Sequence, residues 1–329
     1  MAVYRLGSHG SQVTQIQEAL KQRGLYRGPL DGLFGGGTRG AVIAVQRSAK
    51  LVPDGQVGPK TWGALFGETA QIPAPAIVNE DLVRRCLALT GAFETGTGVP
   101  ECFCGLSGDF DGQGISFGVL QWNFGQGSLQ PLLKEMVSQH ADVAKGVFGD
   151  HYDALQEALS ASDDELMSFA RSIQHPVKHT VYEPWRGYAK ALGRTREFQE
   201  IQVRHAAGIF ERALAMCREY DVWSERAVAL MFDIVTQNGS IKGITRAQIR
   251  ADFNTLPAAL SETEREVRKL EIVANLRAEA ANPRWVDDVR RRKLCTARGE
   301  GVVHGIHYYL EEQFGIRLKR YAPRWRASG

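Results

Sequence analysis

Hydrophobic residues recur every three or four positions along most of this chain, a spacing typical of amphipathic helices. Near the start, Val13, Ile16 and Leu20 follow this spacing and predict a first helix. Two shorter helices are predicted over 38–47 and 61–66, where a threonine at each start suits an N-cap. The beginning of the chain is therefore predicted to form three short helices around a small core.

The pattern changes in one stretch, where glycines punctuate a short apolar run. Ile115, Phe117, Val119 and Leu120 lie between these glycines, which favours a short β-hairpin. Helical spacing surrounds this stretch, and the predicted helices cover 80–94, 129–140, 163–174, 197–220, 224–239, 260–280 and 285–301. The predicted fold class is mostly α: a three-helix domain, followed by an α+β domain whose helical lobe carries one short β-hairpin.

An internal repeat organises the first part of the chain. The sequence DGLFGGGTRGAV begins at Asp31, and DGQVGPKTWGAL begins 23 residues later at Asp54. Each copy predicts an Asp-Gly turn, a tight glycine and a short helix. Together with LGSHGSQVTQIQEALKQRGLY, the two copies resemble the peptidoglycan-binding type-1 domain over residues 3–67.

The resemblance implies that a shallow groove beside the repeat turns contacts the bacterial cell wall. Asp31, Phe34, Asp54 and Trp62 are the candidate contacts, although Phe34 and Trp62 are expected to be core residues instead. The alternative is a generic three-helix module that binds a protein partner.

Residues 68–79 lose helical periodicity and include two prolines, which is typical of a semi-extended linker. We therefore predict a peptidoglycan-binding domain over 1–67, a linker over 68–79 and a catalytic domain over 80–329.

Three acids lie around the glycine-rich stretch of the larger domain. Glu94 falls at the predicted end of the 80–94 helix, and Asp109 and Asp111 lie on the turn GDFDGQG. A carboxyl group on a helix end and a carboxylate on a hairpin can together hydrolyse a glycosidic bond, one as acid and the other as base. The alternative is that Glu94 is a solvated helix-end residue and that both aspartates only form the turn.

The pattern of a helix-end Glu followed by DGxGxSxGxLQ resembles the lysozyme superfamily, and most closely its chitosanase branch, glycoside hydrolase family 46. The resemblance implies a lysozyme-like fold in which Glu94 is the general acid and Asp111 the general base. It also gives Ser116 the place of a threonine that helps to hold the attacking water.

The chain departs from the chitosanases in a G-x-G-Asp turn, where their acid binds the cationic glucosamine. This chain has GQGS and places Ser128 there, so an N-acetylated sugar, as in peptidoglycan, is the better predicted substrate. The candidate substrate-binding residues are Asp109, Gln121, Asn123, Ser128, Gln237 and Asn238.

A further acid, Asp233, lies within the apolar segment ALMFDIV, and a buried carboxylate needs a cation. The candidate partners are Arg290, Arg291 and Arg292, and the chitosanase resemblance implies a charge network behind the general acid. The predicted supporting network is Asp233 with Arg290 and Arg291. A surface aspartate near a helix end is the alternative.

Composition excludes several classes of protein. Apolar residues make up 43% of the chain and charged residues 23%, as in ordinary globular proteins. Residues 1–70 carry eight Lys or Arg against four acids, but no basic stripe interleaved with aromatics predicts nucleic-acid binding. The sequence has no apolar run of about eighteen residues, so no membrane insertion is expected.

The five cysteines form no CxxC pair, and the histidines have no metal spacing with a third ligand. We therefore expect no metal and no cofactor, and we expect buried thiols. The segment MAVYRLGSHG lacks a signal-peptide core, so we expect synthesis in the host cytoplasm and release to the cell wall through a holin pore.

These features predict a monomeric hydrolase of the phage endolysin kind, with bacterial peptidoglycan as its partner and substrate. It is expected to cut between N-acetylmuramic acid and N-acetylglucosamine. A secreted bacterial effector with the same activity fits almost as well. The alternatives are a lytic transglycosylase, which needs no base, a chitosanase, and a wall-binding protein without activity.

Overall fold

The computed structural model describes residues 3–322 and divides into two compact units. The first unit consists of Met1–Leu89 with Gly208–Gly329, and the second of Thr90–Ala207. The boundaries predicted at residues 67 and 80 both lie inside the first unit.

Helices account for most of the described chain, which confirms the mostly α class. The α-helices are α1 (Ser11–Gln22), α2 (Gly36–Ser48), α3 (Pro59–Phe66), α4 (Leu82–Thr95), α5 (Gln130–Gln139), α6 (Ala141–Phe148), α7 (Tyr152–Ser160), α8 (Asp163–Ser172), α9 (Trp185–Arg194), α10 (Arg196–His205), α11 (Ala207–Glu219), α12 (Glu225–Asn238), α13 (Gly243–Asn254), α14 (Glu262–Glu279), α15 (Val286–Arg298) and α16 (Leu310–Phe314). The strands are β1 (Leu106–Ser107), β2 (Ser116–Phe117), β3 (Trp122–Asn123), β4 (Glu300–Val303) and β5 (Ile306–Tyr309).

Helices α1, α2 and α3 surround a small apolar core, as the hydrophobic spacing predicts. Val13, Ile16, Leu20 and Phe34 are fully buried in this core, and Trp62 is nearly so. The predicted starts of the second and third helices were late by two residues each. Because α2 begins at Gly36 and α3 at Pro59, the two threonines lie inside the first turns rather than at N-caps.

A buried glutamine organises each copy of the repeat. The Gln17 side chain donates to Asp31 Oδ1 at 2.8 Å and accepts from the Gly32 N–H at 2.9 Å. In the second copy, Gln46 donates to Asp54 Oδ1 at 2.8 Å and accepts from the Gly55 N–H at 2.8 Å. Both turns are thus held by the same arrangement, since a buried amide is stable only when its donors and acceptors are satisfied.

The segment after α3 packs against the three-helix module. Ala70 and Ile72 pack on its core, and the Tyr4 hydroxyl donates to the Pro73 carbonyl at 2.6 Å. Part of the predicted linker is therefore in contact with the module.

Within the first unit, the module also contacts the β5–α16 segment. The Arg5 guanidinium lies 3.0 Å from Glu312 Oε1 and 3.5 Å from the centre of the Tyr309 ring. The Gln313 side chain donates to the Gly7 carbonyl at 2.9 Å. His9 is buried beside Tyr308 and Phe314, and burial lowers its pKa to about 4. These contacts have no counterpart among the sequence predictions.

The second unit contains a three-stranded antiparallel sheet in the order β1-β2-β3, instead of a single hairpin. Ser116 on the central strand pairs with Ser107 on one side and Asn123 on the other. A second two-stranded sheet, β4-β5, lies in the first unit and was not predicted. The helix predicted over 197–220 is two helices, α10 and α11, separated at Ala206.

Candidate active site

Glu94 lies exposed in the last turn of α4, as the sequence predicts. The helix ends there because Gly96 follows it with a positive φ of 69°, and the Gly96 N–H donates to the Ala92 carbonyl at 2.8 Å. A glycine in this conformation closes the carboxyl end of a helix at little steric cost. The backbone of Glu94 is therefore held at the end of a rigid element.

Gly91 allows the end of α4 to pack closely on the strand region. A Cβ added at Gly91 would lie 2.6 Å from a Val119 methyl group and 2.7 Å from the Cys102 carbonyl oxygen. Only a glycine fits this approach. Since Gly91 lies one turn before Glu94, it fixes the acid relative to the segment that follows the Asp111 turn.

The two aspartates of the turn have different environments. Asp111 is exposed, and its Oδ1 accepts a hydrogen bond from the Gln113 N–H at 3.1 Å. The Asp109 side chain is only 11% exposed, with Oδ1 accepting from the Gly114 N–H at 2.8 Å and Oδ2 lying 3.7 Å from Arg171 Nε. Asp109 therefore stabilises the turn, whereas Asp111 is exposed to solvent.

The three residues predicted to bind sugar around β3 make hydrogen bonds to their own turns. Gln121 donates to the Gly118 carbonyl at 2.9 Å and accepts from the Ser107 hydroxyl at 2.8 Å. The Ser128 hydroxyl accepts from the Asn123 N–H at 2.9 Å and donates to the Asn123 carbonyl at 3.2 Å. The Asn123 side chain accepts from the Gln126 N–H at 2.8 Å. Through these hydrogen bonds, all three residues stabilise the turns around β3.

The first unit holds the predicted charge network, but with different partners. Asp233 is buried, with Arg292 Nε 2.8 Å from Oδ1 and Lys293 Nζ 2.7 Å from Oδ2. Although burial by itself raises the pKa of Asp233, these two cations hold that pKa below its usual value. Asp233 is therefore a buried carboxylate between two buried cations.

The assignment of Arg290 and Arg291 to this network was wrong. Arg290 lies 3.5 Å from Glu279 and 3.6 Å from Asp287, and Arg291 is exposed. On α15 the buried face carries Val289, Arg292, Lys293 and Thr296. Because residues three and four apart share a helix face, Arg292 and Lys293 point inward with Val289 and Thr296.

Gln237 and Asn238, at the end of α12, line one cavity of about 480 Å³ in the first unit. The Gln237 side-chain oxygen accepts from Lys293 Nζ at 2.9 Å, which joins this cavity to the buried charge cluster.

In the repeat turns, Asp31 and Asp54 are exposed but accept bonds from the buried glutamines, whereas Phe34 and Trp62 are buried core residues. Phe34 and Trp62 are therefore not surface contacts. The role of the two aspartates at the wall stays a prediction.

Sequence reasoning missed three residues on or beside the segment that carries Asp109, Asp111 and Val119. Gln202 is fully buried and accepts from the Val119 N–H at 2.8 Å, and Gln174 accepts from the Asp109 N–H at 2.9 Å. Phe110, between the two aspartates, is 72% exposed and its ring lies 5.1 Å from that of His179. The signal for Gln202 was a polar residue four positions after Phe198 on an apolar face, and for Phe110 an aromatic residue in a polar turn.

The five cysteines are buried and form no disulfide within the described chain, and burial raises the pKa of Cys104 to about 12. Across residues 3–322, no three His, Cys, Asp or Glu side chains are placed to share a metal ion. No helix in the same range has the length and apolar character needed to cross a membrane.

Comparison with protein families gives a match for the first part of the chain. Residues 9–65 match the model of the family described as "Putative peptidoglycan binding domain". This match agrees with the resemblance found from the Asp-Gly repeat.

Two curated relatives match over short segments. N-acetylmuramoyl-L-alanine amidase CwlM of Mycobacterium tuberculosis is 34% identical over 97 residues, covering 25% of this chain and 24% of CwlM. A spore cortex-lytic enzyme of Bacillus cereus is 41% identical over 67 residues, covering 20% of this chain and 26% of the enzyme. The chain thus spans about a quarter of the length of these relatives.

Among solved structures, the native chitosanase from Bacillus subtilis MY002 is similar at a TM-score of 0.40 and 18% identity. The likeness covers 67% of this chain and 87% of the chitosanase. At this TM-score and identity, the likeness carries no argument about the mechanism of this chain.

Proposed function

We propose that this chain is a peptidoglycan hydrolase that binds the cell wall through its three-helix module and cleaves the glycan with its second unit. The observation that carries the proposal is the family match over residues 9–65 in a chain that also exposes Glu94 and Asp111. The names of the two relatives, an N-acetylmuramoyl-L-alanine amidase and a spore cortex-lytic enzyme, also favour a cell-wall substrate.

In the proposed reaction, Glu94 donates its proton to the glycosidic oxygen between N-acetylmuramic acid and N-acetylglucosamine. Asp111 accepts a proton from the water that attacks the anomeric carbon on the opposite face. Such an inverting reaction needs roughly 6.5–9.5 Å between the two carboxyl groups, whereas a retaining one needs about 5–5.5 Å. We infer the wider gap, with Ser116 helping to hold the water and Phe110 available to pack against a sugar ring.

The three-helix module contributes to the reaction by keeping the catalytic unit close to its substrate. A wall-bound module keeps the catalytic unit at high local concentration beside an insoluble polymer, which raises the rate of productive encounters. We place the action of the protein in the cell wall because its substrate is there.

Product analysis tests the reaction. Purified peptidoglycan is digested, the products are reduced with borohydride, and mass spectrometry identifies the sugar that carries the new reducing end. Reduced muramic acid at the new ends is the expected result. Reduced glucosamine would make the chain a glucosaminidase, and products one water lighter, with a 1,6-anhydro ring, would make it a lytic transglycosylase.

A further inference from the structure

The cavity in the first unit has features that the proposed reaction does not use. It lies where the ends of α12 and α14 meet the starts of α13 and α15. Its walls include Asn238 from α12, Lys242 before α13, Arg277 from α14 and Trp285 before α15. Its volume of about 480 Å³ is within the usual range for a small-molecule site.

Arg277 brings to this cavity a half-buried cation with one buried donor that has no partner in the described chain. Its Nε is buried and has no hydrogen-bond partner among residues 3–322, and no acid in that range pairs with its guanidinium. A guanidinium stays charged in a protein, so the burial of its donors is costly until an acceptor reaches them. The described chain supplies no acceptor for this Nε, so an anionic group bound in the cavity would satisfy it.

The charges around Arg277 favour an anion as that molecule. The charge of Arg277 acts on Lys293, which belongs to the buried cluster with Asp233 and Arg292. Arg277 is therefore close enough to act on a buried cluster in which two cations share one carboxylate. The acid on the cavity wall, Asp288, is engaged with His304, whose Nε2 lies 2.6 Å from Asp288 Oδ1.

Other lining groups suit a sugar. Trp285 is 50% exposed at the cavity wall, and the Arg284 guanidinium lies 4.9 Å from the centre of its ring, which leaves the rest of the aromatic surface available. The Asn238 side-chain oxygen is buried without a hydrogen-bond partner in the described chain. An aromatic surface with a few convergent polar groups is the usual composition of a specific ligand site.

We propose that this cavity is a subsite for a sugar that carries a carboxylate, with Arg277 and Lys242 binding the acid and Trp285 packing against the ring. The inference rests on the proposed function, because the muramic acid of peptidoglycan offers such an acid. The carboxylate comes either from its lactyl group, when the stem peptide is absent, or from the stem peptide itself.

Binding to the full chain tests this subsite. Glu94→Gln is used as the background, so that binding is measured without turnover, and calorimetry is run with three probes. The probes are a peptide-free tetrasaccharide of alternating N-acetylglucosamine and N-acetylmuramic acid, the same tetrasaccharide with its stem peptides, and chitotetraose. Binding by the three-helix module is the same in every variant and cancels in the comparison.

Arg277→Gln should weaken binding of an acid-bearing probe about tenfold or more, the scale of a lost charge-assisted contact. Binding of chitotetraose should change less than about twofold, and Arg277→Lys should restore part of the loss. Arg268→Gln is the matched control, because Arg268 lies on the same helix outside the cavity. A response confined to the peptide-free probe identifies the lactyl acid, and one confined to the peptide-bearing probe identifies the stem peptide.

The subsite is wrong if Arg277→Gln leaves all three probes unchanged or weakens chitotetraose as much as the others. If Arg277→Gln does not fold, Lys242→Gln repeats the test at an exposed position, with a smaller selective loss that disappears in high salt. An equal effect on all probes there overturns the proposal too. Failure of the wild-type chain to cleave peptidoglycan would count against the proposed function alone, since these titrations measure binding.

Discussion

Asp111 and Asp233 are two carboxylates in contrasting surroundings. Asp111 lies exposed on a glycine-rich turn, where a backbone N–H orients it and water reaches it. Asp233 is 2% exposed and lies between Arg292 and Lys293. The first arrangement leaves lone pairs for a reaction, and the second uses them to stabilise buried cations.

The contrast separates two kinds of mutational effect. Loss of an exposed reacting group lowers the rate and leaves the fold intact, whereas loss of a buried partner leaves a charge unpaired and destabilises the fold. Each candidate acid can therefore be assigned by measuring activity and stability together.

The largest expected effect is on the general acid. Glu94→Gln should abolish cleavage of peptidoglycan, because the amide cannot donate a proton to the leaving oxygen. The midpoint of thermal unfolding and co-sedimentation with purified walls should stay at wild-type values. Release of soluble products from labelled peptidoglycan measures the rate, and activity above about a tenth of wild type would place the acid elsewhere, since general acid catalysis usually contributes at least a hundredfold.

Asp233→Ala should lower the free energy of unfolding by about 3–5 kcal/mol, because Arg292 and Lys293 lose their buried partner. Chemical denaturation measures this loss. Asp221→Ala is the matched control: Asp221 Oδ2 lies 2.8 Å from Lys269 Nζ, but its side chain is 95% exposed, so the change should be a small fraction of that at Asp233. Equal losses at the two sites would contradict the importance of burial.

Asp111→Asn should reduce kcat at least about a hundredfold, the usual scale for loss of a positioned base, with unchanged stability. Ser116→Ala should cost less, since the water keeps Asp111. Asp109→Asn should retain more activity than Asp111→Asn, because its Oδ1 can still accept from the Gly114 N–H. If Asp109→Asn is inactive and Asp111→Asn is active, the base is Asp109. If neither matters, a transglycosylase is the better account.

Much of the fold follows from local patterns, and the misses have physical causes. The Asp-Gly repeat, the end of α4 before Gly96 and the position of α12 all depend on neighbouring residues, and the sequence was sufficient for them. The strand β1 and the pair β4-β5 were missed because strands of two to four residues are stabilised by partners, not by their own periodicity.

The candidate site residues were also predictable only where the signal lies in neighbouring residues. An aspartate in an apolar segment predicts a buried ion pair, and Asp233 is buried between Arg292 and Lys293. Helical periodicity applied to Val289 and Thr296 would have selected Arg292 and Lys293 over Arg290 and Arg291. By contrast, the bond from the Asp109 N–H to Gln174 joins residues 65 positions apart, and no local pattern predicts it.

The pH dependence of stability gives a smaller effect at the same buried acid. Because the folded-state pKa of Asp233 is depressed, its contribution is present above the unfolded pKa of about 3.9 and is lost as the pH falls through the folded pKa. The difference in unfolding free energy between wild type and Asp233→Asn should be constant near neutral pH and should shrink below about pH 4. Urea denaturation from pH 7 down to pH 3 measures this difference. A difference that grows as the pH falls would mean that folding raises the pKa of Asp233 instead of lowering it.

The smallest expected effect concerns substrate choice at Ser128. Ser128→Asp adds an anionic group on the GQGS turn, so cleavage of chitosan oligomers should rise from a low or undetectable level. The aspartate can still accept from the Asn123 N–H but cannot donate to the Asn123 carbonyl, so a loss of about 1 kcal/mol in stability is expected. Ser128→Asn, of similar size without the charge, should not gain chitosan cleavage. Strong cleavage of chitosan by the unmodified chain would overturn the N-acetylated substrate, because Ser128 offers no charge to bind an ammonium group.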